Sequence, residues 1–384
     1  MKCQPAITTV SLGLSNRFNI LDKLTQAALH GFSAIELFYD DLEALASSLS
    51  PPPHSSPPLR HSLLQAAHQI RLHCDALSLT ILNLQPFRFF EGLVDRVQLD
   101  YILSHTIPLW IDICHILGAD TILVPSNFLP SDPSTNAPRT VGDRDILIHD
   151  LRQLALLGAQ SSPPIKFAYE ALAWGTHIST WEQSYDLVTA VNHPNLGLAL
   201  DTFNIAGAIY ADPTAEDGRT VNAEEALSAS LHRMKTTLDL SKLFIVQIAD
   251  AERLTTPLRP GHAFYVEGQP SRMSWSRNTR LFLCEPERCG YLPVLEIVRT
   301  LLDMGWTGYL AYEIFSRTLA GPDPSTPAVH AERAQRSWAR LCDAMNFTDT
   351  KEKEDNIVYE LPGKAMDQIY GGGTPKVTAF RADF

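Results

Sequence analysis

Read for the alternation of apolar and polar positions, the chain divides into short β-branched or aliphatic runs and longer stretches whose apolar residues recur near every 3.6 positions. Eight runs have strand character: ITTVSL (7–12), AIELF (34–38), LTILNL (79–84), TILVPS (121–126), KFAYEA (166–171), LGLALD (196–201), LFIVQI (243–248) and YLAYEI (309–314). Between them, segments such as 61–77, 97–117, 144–157 and 292–304 carry the helical spacing and are long enough to pack as helices against a sheet. Strands alternating with helices make repeated βα units and a parallel sheet. Eight such units predict an α/β protein closed into a single (β/α)8 TIM barrel. In that architecture functional side chains come from the C-terminal ends of the strands.

Three stretches break the pattern. SPPPHSSPPLR (50–60) cannot extend a helix and reads as a surface loop. Residues 251–290, between strands seven and eight, are rich in Arg, Pro and aromatics; long loops in compact domains are usually functional or disordered, and here a lid over the barrel mouth is expected. Past about residue 346 the periodicity fades into TDTKEKEDNIVYELPGKAMDQIYGGGTPK. That composition predicts a flexible tail over 346–384, leaving 1–345 as the catalytic domain.

The 384 residues, 45% hydrophobic and 19% charged, suffice for one large core. With 31 Lys and Arg against 43 Asp and Glu the net charge is −12, which argues against nucleic-acid and anionic-membrane partners and for a small-molecule substrate. No apolar stretch approaches a membrane span. The six cysteines (Cys3, Cys74, Cys114, Cys284, Cys289, Cys342) are scattered without a CxxC pair, and MKCQPAITTVSLGLSN reads as an immediate strand without a signal-peptide block. Reduced thiols in a cytoplasmic protein are therefore expected, with homo-oligomerisation left open.

Four strand-end positions hold oxygen donors: Glu170 in FAYEAL, Asp201 in LALDTF, Gln247 in IVQIAD and Glu313 in LAYEIF. Each follows an apolar strand buried on both faces, where an unpaired carboxylate is costly to desolvate. A shared divalent cation removes that cost, and three carboxylates with one amide oxygen suit Mn2+, Mg2+ or Co2+ better than a thiolate-rich structural zinc. Taken singly, each acid has another use: capping the next helix or pairing with an arginine. Their place in four adjacent strands favours the metal.

Beyond this pattern, YEALAWGTHISTWE (169–182), LDTFNIAGAIYADPT (200–214) and RMSWSRNTRLF (272–282) resemble the fungal 3-dehydroshikimate dehydratases of quinate catabolism, within the sugar phosphate isomerase/epimerase-like barrels. The resemblance spans roughly residues 5–345 and implies a xylose-isomerase-like barrel that converts 3-dehydroshikimate to protocatechuate and water by metal-stabilised enediolate elimination. Such chemistry needs an acid and a base near neutrality, for which His177 and His262 qualify by location, although surface histidines are common. Many superfamily relatives carry a histidine three residues after the strand-six Asp; here Asn204 stands there and is a candidate for a substrate hydroxyl. Arg277 and Arg280, with Ser276 beside them, are candidates to fork the substrate carboxylate, the alternative being a basic loop paired with Glu285 or Glu287. Glu36, ending strand two, is a candidate substrate contact or a partner of a ligand, with helix capping or a surface position as its alternative. A sugar isomerase or epimerase would share the same metal cradle, and a non-catalytic ligand sensor would share the barrel. A carboxylate clamp from the arginines favours the cyclic hydroxy acid.

Overall fold

The structure, a computed structural model, describes residues 3–49 and 57–346. The expected surface loop up to residue 56 and the expected tail from 347 onward lie outside the described residues. Eight parallel strands close into a barrel: β1 Gln4–Thr8, β2 Ala34–Phe38, β3 Thr80–Gln85, β4 Thr121–Pro125, β5 Lys166–Glu170, β6 Leu196–Asp201, β7 Leu243–Ile248 and β8 Tyr309–Tyr312. Each strand pairs with its neighbours in sequence, and β8 returns to β1 through the register Gln4 to Tyr309 and Ile7 to Tyr312. No helix among the described residues is long and apolar enough to cross a membrane.

The first strand differs from its expected span, starting at Gln4 and ending at Thr8. Thr9–Leu12 turns instead as a 3₁₀ segment. Polar side chains take over there from the ladder: Thr9 Oγ1 donates to Asp41 (2.7 Å) and accepts the Phe38 N–H (3.0 Å). Ser11 Oγ donates to the Tyr312 carbonyl (3.1 Å) and accepts the Ile314 N–H (2.8 Å). The β-branched run reads as strand throughout because this hydrogen bonding is invisible to periodicity.

The expected helices form at Arg60–Ala76, Arg144–Gln160 and Val294–Asp303. The 97–117 segment becomes helix from Arg96 to Leu117, with a wider π turn at Ile102–Thr106. The 251–290 insertion is not structureless. Asp250–Ala251 pairs antiparallel with Arg280–Leu281, and the helix Ser271–Thr279 lies between them. Trp275 anchors this helix: it is fully buried, packs on Phe203 at 4.7 Å between ring centroids, and donates Nε1–H to the Glu252 carbonyl (3.1 Å).

The barrel interior is layered. Side chains at i and i+2 of a strand share a face. Ala34, Ala168, Ala199 and Ala311, all buried, therefore lie directly beneath Glu36, Glu170, Asp201 and Glu313, as Ala6 lies beneath Thr8. Barrel interiors are usually filled by Val, Ile and Leu. The methyl floor here leaves space, and a cavity of about 310 Å³ opens from the N-terminal end of the barrel, rimmed by Asp120, Lys166 and Tyr309 and reaching Asn83 and Glu36. Outward-facing Ile7, Ile35, Leu37, Leu198, Val246 and Ile248 belong to the main core that packs beneath the helices.

Candidate active site

At the C-terminal end of the strands, Glu170, Asp201 and Glu313 converge, each offering one carboxylate oxygen within 4.8 Å of the others. All three are nearly solvent-free. Burial and the charges of Glu313 and Asp201 push Glu170 well above the usual carboxylate range. Burial raises Asp201 as well, against the pull of Arg280, and pushes Glu313 up to about 7. Three acids that resist joint ionisation form a site suited to a cation.

Arg280 is the cation this chain itself supplies. It is 1% exposed, and its Nη1 donates to Asp201 Oδ2 (2.8 Å), Glu313 Oε2 (2.9 Å) and the Glu313 carbonyl (3.2 Å). Ser276 Oγ accepts its Nε–H (2.9 Å), and its guanidinium lies 4.3 Å from the Phe203 ring centroid and 5.0 Å from that of Phe315. Position 280 follows directly on the Ser271–Thr279 helix, so the anchored insertion delivers this charge into the cluster. Glu285 pairs with Arg333 (2.7 Å) and Arg288, not with Arg280.

Asn204 binds the acids together. Its amide nitrogen donates to Glu170 Oε1 (2.8 Å) and Asp201 Oδ2 (2.9 Å), and its oxygen accepts the Ala173 N–H (3.0 Å). Both amide hydrogens are thus committed to carboxylates rather than offered to a substrate hydroxyl. Asp201 also caps the helix Thr202–Ile209, accepting the Phe203 N–H at 2.9 Å, so the capping use and the cluster coexist on different oxygens. Gln247 is fully buried; its Nε2 donates to Glu36 Oε2 (2.7 Å) and Glu313 Oε1 (3.3 Å), while its Oε1 has no hydrogen-bond partner.

The two histidines sit apart from these contacts. His177 Nε2 lies 3.1 Å from Thr140 Oγ1, and its ring packs so closely on Gly142 that a Cβ there would stand 2.7 Å from Nδ1. His262, half-buried in the insertion, accepts the Phe264 N–H at Nδ1 (3.1 Å). Arg277 is solvent-accessible and donates to Gln269 (3.0 Å); partial desolvation of its guanidinium and the charge of Arg88 lower its pKa. Arg88, on the loop after β3, pairs with Asp40 at 3.2 Å and lies over Phe38 at 5.3 Å. It escapes a reading of strand ends because it lies three residues beyond β3; the aromatic run FRFF around it was the available signal.

A family model described as xylose isomerase-like TIM barrel matches residues 24–346. The chain belongs to that family. It is 43% identical over 344 residues to the 3-dehydroshikimate dehydratase of Neurospora crassa, covering 89% of this chain and 94% of that protein. It is 30% identical over 315 residues to the 3-dehydroshikimate dehydratase of Pseudomonas putida, covering 82% of this chain and 38% of that longer protein. A solved xylose isomerase-like TIM barrel/4-hydroxyphenylpyruvate dioxygenase fusion protein shares the fold with a TM-score of 0.64 at 28% identity, over 90% of this chain and 44% of its own. The motif resemblance to the fungal dehydratases is therefore borne out along nearly the whole chain.

Proposed function

We propose that this protein is a 3-dehydroshikimate dehydratase, releasing water from 3-dehydroshikimate to give protocatechuate. The observation that carries the reading is the 43% identity running through almost all of both chains to the Neurospora crassa dehydratase. The site is consistent with it.

Glu170, Asp201, Gln247 and Glu313 would hold a divalent cation, Mn2+, Mg2+ or Co2+. The fit rests on two features: three carboxylate oxygens within 4.8 Å, and a buried Gln247 carbonyl oxygen without a partner. The donors are all hard oxygens. A cation there supplies a Lewis acid for the negative charge that develops on the substrate ketone oxygen when the neighbouring C–H proton leaves. The chain's own groups do the rest. Asn204 bridges Glu170 and Asp201, and Arg280 bridges Asp201 and Glu313. Arg277, with Arg88 close enough to perturb it, offers positive charge for the substrate carboxylate in an otherwise acidic protein. We assign proton transfer to His262, which lies on the same insertion as Arg277, and read that insertion as a lid. His177, tied to Thr140, is left a packing role.

The test mixes chelator-treated protein with 3-dehydroshikimate and follows protocatechuate absorbance before and after Mn2+, Mg2+ or Co2+ is added. Product is expected only with metal. Absence of product with every ion refutes the reading.

A further inference from the structure

Glu36 accepts four hydrogen bonds, every one from a neutral donor. At Oε2 it receives Thr8 Oγ1 (2.8 Å), Gln85 Nε2 (3.0 Å) and Gln247 Nε2 (2.7 Å), and at Oε1 Asn83 Nδ2 (2.8 Å). The residue is 1% exposed. A register shift between Ile35 and Glu36 sets Asn83 opposite Glu36 across the β2–β3 pair. None of these contacts leaves the carboxylate reaching into the mouth as a substrate contact would.

The Gln247 amide has two chemically different ends of nearly the same shape, and packing alone does not distinguish them. Glu36 faces four donors and no acceptor, so it stands as an acceptor here and takes the NH2 end of Gln247 rather than its carbonyl. Glu313 Oε1 claims the same NH2 at 3.3 Å. The carbonyl oxygen is thereby turned away from both, and it is the buried Gln247 atom that no protein group satisfies. A buried acceptor left unpaired costs about 1–3 kcal/mol, a cost that a cation at the cluster removes.

We infer that Glu36 is a positioning residue: it fixes which end of the Gln247 amide faces the carboxylate cluster, so that the carbonyl oxygen is presented to a divalent cation. The inference rests on the metal site proposed above and adds the element that orients its one neutral donor. Glu36 touches neither substrate nor reacting atoms in this role.

Glu36→Gln keeps the size and removes the acceptor-only character, since an amide at position 36 can present either end. Mn2+ affinity, measured by calorimetry on the purified metal-free protein, is expected to fall about 10- to 100-fold, with the metal-free melting temperature changed by only a few degrees. The double variant Glu36→Gln/Gln247→Glu exchanges donor and acceptor: the amide at 36 donates to one oxygen of the new carboxylate at 247, and the other oxygen faces the cation. Its Mn2+ affinity is expected to recover at least to the wild-type level and to exceed that of Gln247→Glu alone, in which two carboxylates oppose each other at 36 and 247; the added ligand charge by itself would not produce that order. Wild-type Mn2+ affinity in Glu36→Gln, or a double variant as weak as the single one, overturns the inference. A wild-type protein that binds none of Mn2+, Mg2+ and Co2+ overturns the metal reading itself, so the two failures are distinct.

Discussion

Arg280→Met should weaken the metal-free protein and tighten its hold on a divalent cation. Arg280 gives two charge-assisted hydrogen bonds, at 2.8 and 2.9 Å, to carboxylates shielded from water. Removing one partner of a buried ion pair costs about 3–5 kcal/mol, because the other charge stays buried. Part of that is recovered by protonation, since Glu313 is already pushed up to about 7 by burial. The net loss is then about 3 kcal/mol at pH 8 and less at pH 6, where the acids take up protons readily. For a chain of this size 3 kcal/mol lowers the melting temperature by roughly 5–10 °C. The guanidinium and a divalent cation would be rival positive charges at the Asp201 and Glu313 carboxylates, so its removal should lower the Mn2+ dissociation constant about tenfold, worth about 1.4 kcal/mol. Melting curves at pH 6 and 8, in chelator and in Mn2+, together with calorimetric titration, measure every quantity. Methionine keeps most of the volume between Phe203 and Phe315, which limits the packing loss. A variant that melts with the wild type in chelator at pH 8, or that binds Mn2+ more weakly, refutes the reasoning.

Three further outcomes are expected. Glu313→Ala should lose both the Mn2+-induced rise in melting temperature and protocatechuate formation; a retained metal-induced shift would remove Glu313 from the ligand set. Arg277→Ala should raise KM for 3-dehydroshikimate about ten- to a hundredfold, the worth of a hydrogen bond to a charged group, and leave Mn2+ affinity unchanged, because Arg277 is exposed and bonded to Gln269 rather than to the acids; an unchanged KM would end its assignment as carboxylate clamp. Glu91, buried on the loop after β3, accepts Tyr169 Oη–H (2.8 Å) and the Asn127 N–H (2.6 Å) at Oε1 while Oε2 has no partner, and burial pushes it up to about 7 from 4.5. The raised folded-state value makes its contribution fullest below pH 4.5 and lost as pH rises through 7, a swing of about 3 kcal/mol. Glu91→Gln should flatten that part of the melting-temperature profile between pH 5 and 8; an unaltered profile would show that Glu91 ionises freely.

The barrel and its acidic mouth were legible because burial leaves a plain trace: apolar strands ending in Glu170, Asp201, Gln247 and Glu313 leave few ways to satisfy those donors. The sequence also carried a signal that strand spans alone do not use, the recurrence of Ala-x-acid at Ala34–Glu36, Ala168–Glu170, Ala199–Asp201 and Ala311–Glu313, which is the period-two signature of the layered interior. What joins the acids was not legible. Arg280 reaches Asp201 across 79 positions of chain, and its choice between solvent, substrate and carboxylate depends on how the Ser271–Thr279 helix is seated by Trp275. Asn204 was expected to face a substrate because its distance to Glu170, 34 positions away, is set by tertiary packing. The ending of β1 at Thr8 was missed for the same reason, its hydrogen bonds coming from distant side chains.

The contacts at the mouth run without a break from Glu36 through Gln247, Glu313, Arg280, Asp201 and Asn204 to Glu170. Donors and acceptors alternate along this belt, so a change of type at one member strands a buried group on the next. Its consequence is epistasis. Substitutions here should be strongly non-additive, and a lineage can alter the belt only by paired exchanges or through a destabilised intermediate. Residues on the alanine floor make no such hydrogen bonds, so exchanges there are coupled to their neighbours through volume alone.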